Sequence, residues 1–334
     1  MKKATRLLVS LGAFVSFVLV GAQPAQAKTT NIKKIRKELV KYTNQQSAGP
    51  TQNYYFTNGK ADTKGFKGMN AGDYQFKTDQ YGRAATAKAV LTYQEYSDSI
   101  GGRQGTPLEP TGWPASNPIV AITYHLTGRT YHGYLYNRSH SIADSLLGAK
   151  SYTSAANFTT GTRPQNVGAD QDGGMRYPEE LAEDYWKAHP NSTATIEYKT
   201  VPIYHKQETM PRGSIVNVKS SDGTLNRQVV VINSVEGIKL NYTDASSNAT
   251  PYVKPARSQR QTAASTTTQQ STATAPASTQ GGWTTAPAGQ VYVSQSHKYY
   301  SQVTNPSNYS LMSITDAQNS GATQASRGNQ YARP

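Results

Sequence analysis

Pro118-Ile119-Val120-Ala121-Ile122-Thr123-Tyr124, the turn Thr127-Gly128-Arg129 and the run Thr130 to Tyr136 form the stretch whose reading decides the fold. Its β-branched first half and its central turn predict two strands paired as a hairpin. Asn137-Arg138-Ser139-His140 follows, and Ser141 to Leu147 then places Ile142, Ser145 and Leu146 on adjacent faces at helical spacing. Working outward, the alanine-rich run Gly82 to Leu91 predicts a helix. A second helix is predicted over Pro178 to Ala188, opened by a proline and by Glu179 and Glu180 at its positive end. Thr195 to Tyr204, Ser214 to Lys219 and Gln228 to Val235 read as further strands. The class this implies is α+β, an antiparallel sheet with packed helices.

The chain has 334 residues and no cysteine. That excludes disulfide scaffolds, thiolate metal sites, iron–sulfur clusters and cysteine nucleophiles. Lys and Arg number 34 against 20 Asp and Glu, a formal net charge of +14, which suits a polyanionic partner such as DNA or RNA. Tyrosine is abundant, 23 against 6 Phe and 3 Trp, as in a polar, strand-rich protein.

Five segments are predicted. Residues 1–27 read as an export signal, with Lys2, Lys3 and Arg6 at the basic end, Leu7 to Val20 apolar, and Ala25-Gln26-Ala27 as the cleavage site. A secreted, extracellular protein with no stable membrane insertion after cleavage follows from that reading. Residues 28–48 form a basic arm in which Ile32, Ile35 and Leu39 share one face, either a short amphipathic helix or a solvated tail. Residues 49–252 are the globular domain. Residues 253–288, rich in Ser, Thr, Gln, Ala and Pro, read as a linker that cannot bury enough apolar surface to fold. Residues 289–334 regain tyrosines and hydrophobics as a small module, with weak cell-wall association as one reading of its role.

His140 sits where a strand pair hands over to a helix, and an imidazole titrates near neutrality, so it can act as a general base. Alone it is one of 6 histidines, most of which in any protein are packing or surface groups. Asn157, Gly161-Thr162-Arg163-Pro164-Gln165-Asn166 and Glu180 offer hard oxygen ligands suited to Mg²⁺. Each also has an ordinary reading as a turn residue or helix-start acid.

The ordered combination of strand pair, Asn-Arg-Ser-His, helix, asparagine and helical glutamate resembles the DNA/RNA non-specific endonucleases. These are ββα-metal nucleases, and the similarity is to their secreted competence-nuclease and streptodornase-like branch. It spans about Gly82 to Val235 and includes Gly82-Arg83 and the Gly-Thr-Arg-x-Gln-Asn-Val stretch ending at Val167.

The resemblance implies a ββα-metal motif with His140 as catalytic base and Asn166 as ligand of one divalent metal. Mg²⁺ is the implied ion, with Mn²⁺ as a substitute. It makes Asn157 a structural asparagine and Glu180 the support of the metal's water shell, with Glu179 replacing it if the register slips by one. Arg138 and Arg163 become phosphate contacts. Two departures stand out. Asn137 occupies a position where many members have Asp, and extra residues fall at Ser151 to Ala155. The C-terminal residues loosely resemble a module whose cysteines usually bind metal; with none here, no metal is predicted there. The alternative to a sequence-nonspecific endonuclease is an inactive relative that binds extracellular DNA or a surface. A cell-wall hydrolase ranks below both.

Overall fold

Val216 and Val218 on one strand and Val229 and Val231 on its neighbour point to one face of a sheet, while Ile215, Val230 and Ile232 point to the other. All seven are buried, so both faces are covered. The computed structural model describes residues 32–100, 103–253, 278–294, 298–306, 309–319, 322–325, 328 and 331–334. The predicted export signal and residues 254–277 of the predicted linker lie outside them. In chain order the elements are α1 (Ile32–Asn44), β1 (Tyr55–Thr57), β2 (Tyr74–Thr78), β3 (Ala84–Thr92), α2 (Tyr93–Asp98), β4 (Ile119–Thr123) and β5 (Thr130–Tyr134). Then come β6 (Tyr136–His140), α3 (Asp144–Leu147), β7 (Phe158–Thr162), α4 (Arg163–Val167), α5 (Arg176–Ala188), β8 (Thr195–Ile203), β9 (Gly213–Ser220) and β10 (Asn226–Ile232). The central sheet has the order β1-β10-β9-β8-β3-β2 and is antiparallel throughout.

The alanine-rich run is a strand, not the helix its composition predicts. β3 is paired along both edges, by β2 and by β8. Alanine's helix preference is below ~1 kcal/mol per residue and yields to two hydrogen-bonded ladders. Ala87 and Ala89 are fully buried beneath Ile142, Leu146 and Trp186, where only small side chains let the helices approach. α5 supplies Ala182, Tyr185 and Trp186 to the same core and starts two residues before the predicted boundary.

On the opposite face lies α1. Its stripe of Ile35, Leu39 and Thr43 is buried on the sheet, so the basic arm is a docked helix and not a solvated tail. A Cβ on Gly213 would come within 2.6 Å of a Leu39 methyl, so glycine is what allows that close approach. Among the described residues, no helix is long and apolar enough to cross a membrane.

The C-terminal residues fold as two small sheets. One contains β11 (Ser278–Gln280), β12 (Trp283–Thr285), β15 (Gln302–Val303) and β18 (Ala332–Arg333). The other contains β13 (Gln290–Val293), β14 (Lys298–Tyr300), β16 (Ser310–Ser313) and β17 (Thr323–Gln324), with α6 (Ile314–Asn319) beside it. Two clusters are buried here, one around Tyr292, Tyr300 and Val303 and one around Val291, Val293 and Ala317. Folded structure therefore begins inside the segment read as linker. Gly281-Gly282, both at positive φ, close a two-residue hairpin between β11 and β12, a turn signal that the surrounding Ser/Thr/Ala composition masks.

Candidate active site

β6 and β7 pair antiparallel, His140 opposite Phe158 and Asn137 opposite Gly161. The predicted hairpin of β4 and β5 exists but forms a separate two-stranded sheet. The strand pair that carries His140 is therefore β6–β7, and Asn137 to His140 is itself strand. α4 begins directly after β7. The Thr162 hydroxyl caps it by accepting from the Gln165 amide at 3.1 Å, and Asn166 lies on its single turn. Gly161 permits this packing, because a Cβ there would lie 2.7 Å from that of Ser139.

Asn157 is fully buried and acts as a brace. Its carboxamide oxygen accepts from the Ile142 amide at 2.9 Å, and its nitrogen donates to the carbonyls of Ile142 and Ser151, both at 2.9 Å. With every group of its side chain paired inward, it fixes the chain leaving His140 and does not face substrate. Asn233 ties the same unit to the central sheet, accepting from the Thr162 amide at 2.9 Å and donating to the Thr160 and Pro211 carbonyls.

The His140 ring is wedged between Tyr152 and Phe158, with centroids 5.4 and 4.7 Å away. Part of the residue stays accessible, yet Nε2 is buried with no hydrogen-bond partner among the described residues. Burial, reinforced by the Arg103 guanidinium, holds its pKa down to about 3. The imidazole is thus neutral at physiological pH, the form that can take a proton.

A cleft of about 590 Å³ is lined by His140, Asn166, Arg103, Arg138, Arg163 and Trp113. Arg138 lies over the Trp113 ring at 4.4 Å and Arg163 over Tyr131 at 5.2 Å. Arg163 also donates to Gln171 at 2.6 Å, and Arg138 meets Glu109 at 3.4 Å. The Nε of each is buried and unpartnered among the described residues. Stacking on an aromatic face holds each guanidinium plane while leaving donors for a phosphate.

His140, Asn166 and Arg103 also line a neighbouring cavity of about 280 Å³, whose wall includes Arg176 and Glu179. Arg176 holds three carboxylates of α5: Glu179 at 3.3 Å, Glu180 at 3.2 Å and Glu183 at 2.6 Å. Of the two candidate glutamates, Glu179 is the one in this wall. Glu180 sits among Asp172, Glu183 and Glu179, and burial, opposed by Arg176, lifts its carboxyl to about 8.

The structure thus brings His140, Asn166, Arg138 and Arg163 into one cleft, with Asn157 behind it. Sequence reasoning missed Arg103, Trp113 and Arg176. Arg103 offers only a weak signal, a lone cation in the glycine-rich stretch Gly101 to Gly105. Its neighbour Gln104 is fastened to α3, its backbone amide donating to Asp144 at 3.1 Å.

Among the described residues, no group of three or more His, Asp or Glu side chains could cage a metal. The donors present are the Asn166 carboxamide and the Glu179 carboxylate, both hard oxygens, beside an orphaned Nε2. That set fits a dication that keeps most of its water, as Mg²⁺ does.

A family model described as DNA/RNA non-specific endonuclease matches residues 50–273. A deoxyribonuclease of Streptococcus dysgalactiae subsp. equisimilis is 28% identical over 288 residues, covering 72% of this chain and 85% of its own length. Among solved structures, the Sda1 nuclease with bound zinc ion aligns with 29% identity and a TM-score of 0.53, over 60% of this chain and 98% of that one. NucA from Streptococcus agalactiae with magnesium ion bound aligns with 23% identity and a TM-score of 0.41, over 53% and 80%.

Proposed function

The chain belongs to the DNA/RNA non-specific endonuclease family, and from that premise we propose that it is a secreted endonuclease hydrolysing phosphodiesters of DNA, RNA being the alternative substrate, with His140 as general base and one Mg²⁺ on Asn166. The observation that carries this reading is the neutral His140 ring lining one cleft with Asn166 and three guanidinium groups. Mn²⁺ is a substitute ion, and the zinc named with the Sda1 relative is consistent with a site that takes a divalent cation. Export rests on the N-terminal signal pattern alone.

The neutral His140 ring accepts the proton of a water whose oxygen attacks phosphorus; the P–O bond to the 3′ oxygen breaks, and that oxygen leaves by taking a proton from solvent water. The aromatic walls of Tyr152 and Phe158 hold the ring in one orientation, and Asn157 fixes the backbone behind it. Arg103, Arg138 and Arg163 hold the nonbridging oxygens and neutralise charge gathering on the phosphorane-like transition state. The same phosphate anion raises the proton affinity of His140 above its value in the empty cleft, where Arg103 opposes a cation. Asn166 would hold the metal and Glu179 its water, Glu180 completing the carboxylate group around Arg176. When bound, the dication would supply Lewis-acid stabilisation of the charge that develops in the transition state. Contacts to phosphate alone carry no base information, so cleavage without sequence preference follows.

The test uses residues 28–334 and supercoiled plasmid with Mg²⁺. The chain converts plasmid to short fragments, EDTA stops it, and His140→Ala lowers the rate about 10²–10⁴-fold, the usual contribution of a general base. Separately, Mn²⁺ binding followed by electron paramagnetic resonance is lost in Asn166→Ala. Plasmid that is retained on the protein but stays intact with several metals would establish the inactive, DNA-binding alternative instead.

A further inference from the structure

The cleft has a second wall that the reaction above does not use. Lys298 and Tyr300, from β14, line the smaller cavity together with His140 and Asn166. Tyr331, just before β18, lines the larger one. Tyr300 also lies close enough to Arg163 for that guanidinium to stabilise its phenolate form, against the larger, opposite effect of burial. The C-terminal module thus reaches the active-site cleft with one cation and an exposed ring.

The placement of these residues is not accidental to loose chain. β14 lies inside a four-stranded sheet, between β13 and β17, and the Tyr300 side chain belongs to the buried cluster of the module. Lys298 Nζ donates to Thr323 at 3.1 Å, which holds the ammonium at the cleft. Tyr331 is 57% exposed where it lines the larger cavity.

Charge decides what belongs between the walls. With Arg176 and Glu179 engaged in their own carboxylate cluster, the two cavities are lined by four further cations (Arg103, Arg138, Arg163 and Lys298) against one further carboxylate, Asp144. Like charges facing each other across a gap repel, and an anion between them turns that repulsion into attraction. A polynucleotide supplies phosphates at regular spacing and bases with π faces, the two groups that Lys298 and Tyr331 can hold.

We infer that the C-terminal module is the second jaw of the nucleic-acid clamp: Lys298 binds a backbone phosphate next to the scissile one, and Tyr331 stacks on an unpaired base or its sugar. This rests on the nuclease reading of the cleft. The module is then part of substrate binding and not a passive remnant or a wall anchor, and single-stranded tracts gain more from it than duplex does.

The experiment uses the full mature chain carrying His140→Ala, so that DNA survives, and follows the fluorescence anisotropy of a labelled single-stranded oligonucleotide from low to high salt. Lys298→Glu weakens binding several-fold and reduces the slope of log affinity against log salt by about one, the effect of one lost phosphate contact. Tyr331→Ala weakens single-strand binding about fivefold or more with the slope unchanged, as expected for lost stacking. Circular dichroism checks that both remain folded.

Unchanged affinity and slope in both variants would overturn the inference. So would faster cleavage by Lys298→Glu with His140 intact, because that result makes the module an inhibitory cover. If His140→Ala cleaves as well as its parent, the catalytic assignment fails on its own. The binding comparison can then be read with the metal removed.

Discussion

Val216, Val218, Val229 and Val231 of the central sheet are buried against other hydrocarbon, whereas Thr159, Thr160 and Thr162 of β7 are equally buried in a unit organised by polar groups. In the first region each side chain adds apolar area, roughly 25 cal/mol per Å², and geometry tolerates small shifts. In the second, Asn157 and Asn233 each pair with three backbone groups, and losing any one leaves a buried partner stranded. The site unit also holds buried polar atoms with no partner among the described residues: Ser139 Oγ, His140 Nε2 and Thr160 Oγ1. The sheet supplies stability, and the unit beside it uses some of that stability to keep a neutral imidazole in place.

The largest effect belongs to the hydrocarbon region. Trp186→Ala empties a fully buried position beneath α5 and lowers stability by about 3–5 kcal/mol. Activity per folded molecule is retained, since Trp186 does not reach the cleft. Chemical denaturation and plasmid cleavage measured below the shifted melting temperature check both halves. A large loss of activity in fully folded Trp186→Ala would erase the distinction between the regions.

Asn157→Ala comes next. It strands the Ile142 amide and two carbonyls, at a loss of about 2–4 kcal/mol by the penalty for unpaired buried groups. Unlike Trp186→Ala it lowers kcat even where the chain is folded, because the backbone leaving His140 is no longer fixed. Asn157→Ala that unfolds more easily but cleaves at the parental rate would show the brace to be structural alone.

This contrast explains what the sequence made legible. β8, β9 and β10 announce themselves through Val and Ile, and the structure moves their ends by at most three residues. β7, Phe-Thr-Thr-Gly-Thr, has no apolar alternation to read, because every residue is buried and its neighbours are hydrogen-bond donors and acceptors as well as hydrocarbon. Its existence and that of the one-turn α4 depend on Asn233, some seventy positions away in the chain and placed there only by the fold. For the same reason β3 reads as a helix from its sequence alone. An alanine run encodes small size, and size matters only once Trp186 and Leu146 lie over it. Residue types at the site were readable as an ordered motif. Which of Glu179 and Glu180 enters the cleft was not, because a one-residue step turns a helical side chain by about 100°. Arg103 gives only a weak signal, since its approach to His140 is made by packing a loop onto α3.

Acid and base titration sharpen the comparison with opposite signs. His140 has a folded pKa near 3, below the ordinary 6.5, so under acid the unfolded chain gains a proton that the folded one refuses. Stability attributable to His140 is therefore full above pH 6.5 and is lost as pH falls toward 3, to a limit of a few kcal/mol. Glu180 runs the other way. Its folded pKa near 8 lies above the ordinary 4.5, so its contribution is full below 4.5 and lost as pH rises to 8. In EDTA, His140→Gln flattens the stability profile between pH 3 and 6.5, and Glu180→Gln flattens it between 4.5 and 8. Urea midpoints across this range decide the matter. Parallel profiles for parent and both variants would mean that neither group is buried as described.

The smallest effect is the most specific. Thr160 and Thr162 lie two residues apart on β7, both fully buried. The Thr162 hydroxyl donates to the Ser234 carbonyl at 2.9 Å and accepts from the Gln165 amide, so it is satisfied in both roles. The Thr160 hydroxyl has no partner among the described residues. Valine has nearly the same shape as threonine and removes only the hydroxyl. Thr160→Val removes an unpaired polar atom and stabilises the chain by about 1 kcal/mol, whereas Thr162→Val removes two hydrogen bonds and the helix cap and destabilises it by about 1–3 kcal/mol. Opposite signs for one chemical change on one strand would separate burial from hydrogen bonding as the force holding β7. A loss of similar size in both would mean that Thr160 too is hydrogen-bonded, through a water in the site unit, and that the unit is better satisfied than its protein partners alone make it.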